Sequence, residues 1–135
     1  MKLSSKTHYG LNCCYILGKN YPDKSVSATQ LENLISVSGK YLEKILRMLA
    51  KRGIVLANRG ANGGYFLAKA PSEISVGEIV RALEDDMEII ECVSESGRCK
   101  CCPTSVVWKN LYKGINEILD SMTLEQMIKG ELQKL

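Results

Sequence analysis

Four cysteines, Cys92, Cys99, Cys101 and Cys102, fall within eleven residues of a 135-residue chain that has six in all. Thiolates are ligands for soft metals and for iron–sulfur clusters, and four donors normally complete either site. By spacing alone this set suits zinc, an iron–sulfur cluster or a switchable disulfide. The pattern Cys-x6-Cys-x-Cys-Cys is not that of a zinc ribbon, which needs a pair of Cys-x2-Cys units. In a reducing compartment such clustering means metal binding or redox chemistry more often than a disulfide framework. Cys13 and Cys14 need a separate explanation. They lie in an apolar, helix-periodic stretch, where a free cysteine behaves as a small hydrophobe, and they are expected in the core.

Cations carry a second chemistry. Net charge is +3, but residues 1–70 hold eleven Lys and Arg against three acids, a balance of +8, while residues 71–135 hold seven against twelve, or −5. A basic first half suits a polyanion, and an acidic second half argues against a general nucleic-acid coat. Ser38, Lys40, Tyr41, Glu43, Lys44 and Arg47 share a stretch in which Leu42, Ile45, Leu46 and Leu49 repeat at three and four residues. A helix there turns its apolar back inward and presents the polar set outward. Lys and Arg on such a face attract phosphates or bond guanine edges, and Glu43 is of a type that accepts from cytosine N4. Arg59 stands in Asn58-Arg59-Gly60-Ala61-Asn62-Gly63-Gly64, a run that Gly and Asn allow to turn tightly. An arginine there suits a narrow A·T-rich minor groove, where the negative potential is enhanced. Lys2 and Lys6 supply phosphate contacts. Each charge alone reads as solvated surface; together they read as a DNA-binding face.

The elements that must position these residues are mainly α, with a small β-hairpin. A first helix is predicted from about Thr7 to Gly18, and Lys19 to Val26, with Asn20, Pro22 and Asp23, reads as a loop. Ser27 opens a second helix with Gln30 as its capping-box partner, and Leu31, Leu34 and Ile35 form its buried stripe. After the break Ser36-Val37-Ser38-Gly39, a third helix runs from about Ser38 to Arg52 and stops at Gly53. Two helices joined by a tight turn, the second basic on its outer face, outline a helix-turn-helix. Strands at Ile54–Ala57 and Tyr65–Ala68 add a hairpin and make the unit a winged helix. Ser75-Val76-Gly77-Glu78 reads as another capping box, opening a helix through Leu83 that ends in Glu84-Asp85-Asp86. A long helix from about Thr104 to Asp120 carries Trp108, Leu111, Tyr112, Ile115, Ile118, Leu119 and Met122 on one face, read as a dimerisation stripe, with intramolecular core as the alternative. Thr123-Leu124-Glu125-Gln126 starts a short last helix. The chain thus divides into a winged-helix DNA-binding domain (1–70), a connecting helix (71–90), a Cys-rich loop (91–103) and a long C-terminal dimerisation helix with a final short one (104–135).

The sequence resembles the bacterial winged-helix regulators of the Rrf-two type, with their iron–sulfur (IscR-like) and nitric-oxide-sensing (NsrR-like) branches. Five segments in order carry the likeness over nearly the whole chain: Met1–Lys6, Ser38–Ile45, Arg59–Tyr65, Ile74–Val80, and the Cys loop before Trp108. It implies a homodimer on a roughly palindromic double-stranded operator. Tyr41 and Glu43 match the positions where that family reads bases, and Arg59 matches its minor-groove arginine; Asn62, Gly63 and Gly64 complete the wing motif. The likeness also implies an iron–sulfur cluster, 2Fe-2S or 4Fe-4S, held by three loop cysteines. Cys92 matches the first and Cys102 the third; Cys99 best matches the second, with Cys101 able to serve after a small backbone shift. The loop is shorter than the family's, and Ser105 stands where the IscR type has a histidine ligand. The fourth bond then falls to Cys101, or to His8 of the partner subunit, whose position supplies a cross-dimer carboxylate in the nitric-oxide-sensing branch.

An enzyme is a poor reading, because the chain has no nucleotide-binding glycine loop and no second histidine for an acid–base pair. A metal-storage module accounts for the cysteines but not for the wing. No stretch reaches 18 consecutive apolar residues, and Met1–Lys6 turns polar with no apolar h-region. A cytoplasmic protein without membrane association is therefore expected.

Overall fold

The computed structural model describes residues 2–61, 63–85, 87 and 103–134. Helix α1 (Ser5–Asn20) is the central strut, and its buried line, Cys13, Cys14 and Leu17, packs among the elements that follow. Helices α2 (Ala28–Ile35) and α3 (Gly39–Lys51) form the helix-turn-helix. Of the expected α2 stripe Leu31 is fully buried and Ile35 half-buried, but Leu34 is 66% exposed, because a short helix turns only one narrow line of side chains inward. The turn is short because each side is capped. Ser27 Oγ accepts from Gln30 N at 3.1 Å while Gln30 Oε1 accepts from Ser27 N at 2.9 Å, the expected capping box. Ser36 ends α2 in the left-handed region (φ 61°) with its N–H on Glu32 O at 2.8 Å. Two residues later Ser38 Oγ accepts from Tyr41 N at 3.4 Å to start α3.

Leu42, Ile45, Leu46 and Leu49 of α3 are all fully buried, as their spacing predicts. Burial of four such side chains, each worth roughly 1.5–3 kcal/mol, fixes which face of α3 is left outward. Gly53 (φ 71°) then lets the chain reverse, with Ile54 N bonded back to Leu49 O at 3.1 Å. Strands β1 (Val55–Asn58) and β2 (Gly64–Leu67) pair antiparallel in the register Val55↔Leu67 to Asn58↔Gly64. The first strand begins one residue after the predicted Ile54 because Ile54 N–H is spent on closing α3. The second is shifted one residue the other way. The segment read as a loop contributes as well: Val26 bridges Tyr65, with N···O distances of 2.9 and 2.8 Å. Gly64 is required there, since a Cβ at this position would lie 2.7 Å from Val26 O.

After a 3-10 turn at Pro71–Glu73, α4 (Val76–Leu83) packs against α1 and α3. Ser75 Oγ caps it through Glu78 N at 3.1 Å, but the return half of the predicted capping box is not formed. Glu78 instead turns to Lys69, 3.2 Å away, because the opposite charge competes with the backbone donor. Helix α5 (Ser105–Ser121) lies against α4, held by Arg81, which donates to Asn116 Oδ1 at 3.0 Å and pairs with Asp120. Helix α6 (Leu124–Lys129) carries a full capping box between Thr123 and Gln126. It returns to the start of α4, with Val76 N on Met122 O at 2.8 Å and Leu124 N on Ile74 O at 2.9 Å, and it packs along α1. Among the described residues no helix is long and apolar enough to cross a membrane.

Candidate nucleic-acid interface

With its apolar side buried, α3 holds Lys40, Glu43, Lys44 and Arg47 exposed on one outward face, with Ser38 exposed at its N-terminal cap. Three cations and one carboxylate on an exposed helix, N-terminal end foremost, have the chemistry of a major-groove reader. Tyr41 is placed differently from its neighbours. It is half-buried, its hydroxyl is 3.0 Å from Ser5 Oγ, and its ring meets Tyr9 edge-on at 6.0 Å between centroids. The first turn of α3 is thereby tied to the first turns of α1.

Arg59 projects from the exposed tip of the hairpin, and Gly63 and Gly64 form its return; Asn62 lies outside the described residues. The hairpin faces α3 through Tyr65. Burial pushes the Tyr65 phenol above its ordinary value, the Glu43 carboxylate adds to this and the Arg47 guanidinium opposes it. So the Val26 bridge, through the backbone, and the charges of α3, through the phenol, both act on one residue of β2 that periodicity placed only in a strand. Lys2 is exposed and Lys6 half-exposed at the start of α1. Lys6 is close enough for its charge to act on Glu84, at the end of α4.

Cys92, Cys99, Cys101 and Cys102 lie outside the described residues. Of the other candidate ligands, His8 is exposed on α1, with Nε2 3.5 Å from Asn12 Nδ2 and its ring edge-on to Tyr9 at 5.2 Å. His8, Asn12 and Tyr15 form a wall shared by two grooves of about 670 and 320 Å³. The ring is thus presented to whatever approaches α1 from outside. Cys13 and Cys14 are fully buried, as expected of core residues, and burial pushes the Cys13 thiol up to about 12 and Cys14 higher still. Neither is a thiolate at neutral pH.

The stripe on α5 is divided. Tyr112, Leu119 and Met122 pack within the chain against Val76, Val80 and Met87. Trp108 and Ile115 are half-buried, whereas Leu111 and Ile118 stand 47% and 62% exposed, flanked by Val106 and Val107 at 61% and 56%. The split follows from helical geometry. Positions 108, 112, 115, 119 and 122 run along one line, and 107, 111 and 118 along another.

The family model described as Rrf2, iron-dependent transcriptional regulator, matches residues 3–130. The regulator NsrR of Bacillus licheniformis is 33% identical, over 97% of this chain and 94% of its own. Among solved structures, CymR, titled the global cysteine regulator of B. subtilis, superposes with a TM-score of 0.81 at 30% identity, covering 96% of this chain and 97% of that one. The T. potens IscR structure gives 0.79 at 36% identity, over 98% and 89%.

Proposed function

Because the chain belongs to the Rrf2 family of DNA-binding transcriptional regulators, which are not enzymes, we propose that it is a homodimeric regulator whose operator affinity is set by the state of an iron–sulfur site in the segment Cys92–Cys102. The observation that carries this reading is the pairing of an exposed basic reading helix with four cysteines crowded between α4 and α5. Lys40, Lys44 and Arg47 engage phosphates and base edges in a major groove, Glu43 discriminates among bases, and Arg59 enters the adjacent minor groove. Lys2 and Lys6 add phosphate contacts beside them.

The donor chemistry fits a cluster. Cys92, Cys99 and Cys102 would hold it, with Cys101 or His8 of the partner subunit as the fourth ligand; Cys13 and Cys14, fully buried and packed in the apolar core, have no open side to offer a cluster. Such a group supplies one-electron chemistry that thiols alone lack. The chain's own part is to translate a change in that segment into a change of reading-head geometry. To move an operator from almost full to almost empty, the two states must differ by about 5.5 kcal/mol in DNA affinity.

Anaerobic purification with a visible spectrum and iron and sulfide assays tests this. A coloured protein with matched iron and sulfide is expected, and Cys92→Ala should lose the colour and alter operator binding. A protein that is colourless, free of zinc and refractory to reconstitution with iron and sulfide would overturn the cluster reading. A thiol–disulfide switch would then take its place, favoured by the Cys-x2-Cys spacing of Cys99 and Cys102. On the DNA side, Arg59→Ala is expected to cost roughly 1–3 kcal/mol and to relax A·T preference at the flanks. Unchanged affinity and flank preference in a titration would remove Arg59 from the interface.

A further inference from the structure

Helix α1 begins without a cap of its own. Ser4 occupies the N-cap position but its hydroxyl makes no bond into the helix, and no acidic residue lies in the first turn. The negative charge that the helix terminus favours comes instead from Glu84, 80 residues away. Glu84 ends α4 in extended conformation, with its N–H on Val80 O, so its backbone finishes one helix while its side chain serves another. One carboxylate oxygen, Oε1, accepts from Ser4 N at 2.7 Å, Ser4 Oγ at 2.9 Å and Thr7 Oγ1 at 2.5 Å. Thr7 is only 4% exposed, and Glu84 satisfies its hydroxyl.

The same turn of α1 carries the bond to the reading helix. Ser5, between the two residues that Glu84 holds, meets Tyr41 at 3.0 Å, and Tyr41 N–H is the donor to the Ser38 cap. The end of α4 and the first turn of α3 are therefore joined by polar contacts to the same turn of α1, whose backbone, residues 4–7, links the two sets.

We propose that Glu84 is a positioning residue for DNA reading: capping α1 from the end of α4, it sets where Ser5 holds Tyr41, and so couples the segment that follows α4 to the first turn of the reading helix. The proposal rests on the DNA-reading part of the function above, and does not depend on whether a cluster or a disulfide occupies the cysteine segment. It gives a role to a residue that the sequence shows only as the first of an acidic run.

The test uses the full chain, purified anaerobically. A duplex is first selected from a random pool with the wild-type protein, and affinities for it and for a scrambled duplex are measured by fluorescence anisotropy at fixed salt. Glu84→Ala is expected to weaken binding to the selected duplex about fivefold, the worth of one helix cap, with the scrambled duplex unaffected. Glu84→Gln, which keeps an acceptor oxygen, should stay within about twofold of wild type. Tyr41→Phe should weaken binding by itself, and Glu84→Ala combined with Tyr41→Phe should be no worse than the weaker single variant, because both act through the same turn of α1. A purely structural cap predicts otherwise: additive losses, equal losses on both duplexes, or no loss once the folded fraction is matched by circular dichroism, and any of these overturns the proposal. Should Glu84→Ala fail to fold, the cycle between Thr7→Val, which removes one of the donors to Glu84, and Tyr41→Phe decides the matter by the same criterion of additivity. A wild-type protein that selects no sequence would instead overturn the DNA-reading assignment.

Discussion

The six cysteines divide by environment. Cys13 and Cys14 have the same side chain as the other four, but full burial in an apolar core removes the solvation a thiolate needs. We expect that iodoacetamide at pH 8 leaves both unmodified in the native protein and labels both after denaturation, as mass spectrometry would read. Native labelling of Cys14 would contradict its place in the core. Glu84 is the counterpart among the acids. Burial pushes its carboxyl up, but the bonds from Thr7 and Ser4 and the charge of Lys6 outweigh this and leave it below its ordinary value. A carboxyl depressed in the folded state stabilises the fold above its unfolded pKa of about 4.3, and that contribution is lost as pH falls through the lower folded value. The thermal stability of wild type should therefore exceed that of Glu84→Gln at pH 7, with the gap closing below about pH 4. A pH-independent gap would mean that charge plays no part in the cap.

At the scale of elements, the wing depends on a contact that neither strand makes alone. Val26 bridges Tyr65 closely enough that only glycine fits at position 64. Gly64→Ala would bring a Cβ against backbone rather than against a yielding side chain, so the hairpin must move. We expect a loss of about 1–3 kcal/mol in stability and a weakened operator complex, because Tyr65 and Arg59 move with the hairpin. Denaturant unfolding checks the first and anisotropy the second; an unperturbed variant would show that the bridge is dispensable. The α2–α3 turn, capped by its own serines, should be indifferent to the same change.

At the scale of the molecule, α5 has two apolar lines, and among the described residues it packs chiefly against α4. Tyr112, Leu119 and Met122 are used against α4, and Arg81 with Asn116 and Asp120 fixes the angle at which they meet. Leu111 and Ile118 remain outward with Val107. We propose that the homodimer is formed along this second line. Leu111→Asp combined with Ile118→Asp is expected to yield a monomer in sedimentation, with a melting transition shifted little and operator affinity lost. A double variant that still sediments as a dimer would move the seam elsewhere.

The helices, the capping of the helix-turn-helix at Ser27 and Ser38, and the buried line of α3 were legible in the residues, because each rests on periodicity and short-range hydrogen bonds. The basic face opposite Leu42, Ile45, Leu46 and Leu49 follows from the same count. So does the burial of Cys13 and Cys14. What could not be read there are contacts between residues far apart in the chain: Glu84 at the start of α1, Val26 beside Tyr65, Glu78 drawn to Lys69 instead of its own helix, and the division of the α5 stripe. Local pattern states which side chains are apolar or charged and which face they share. Which partner each face meets depends on how the elements are packed against one another, and only the tertiary structure decides that.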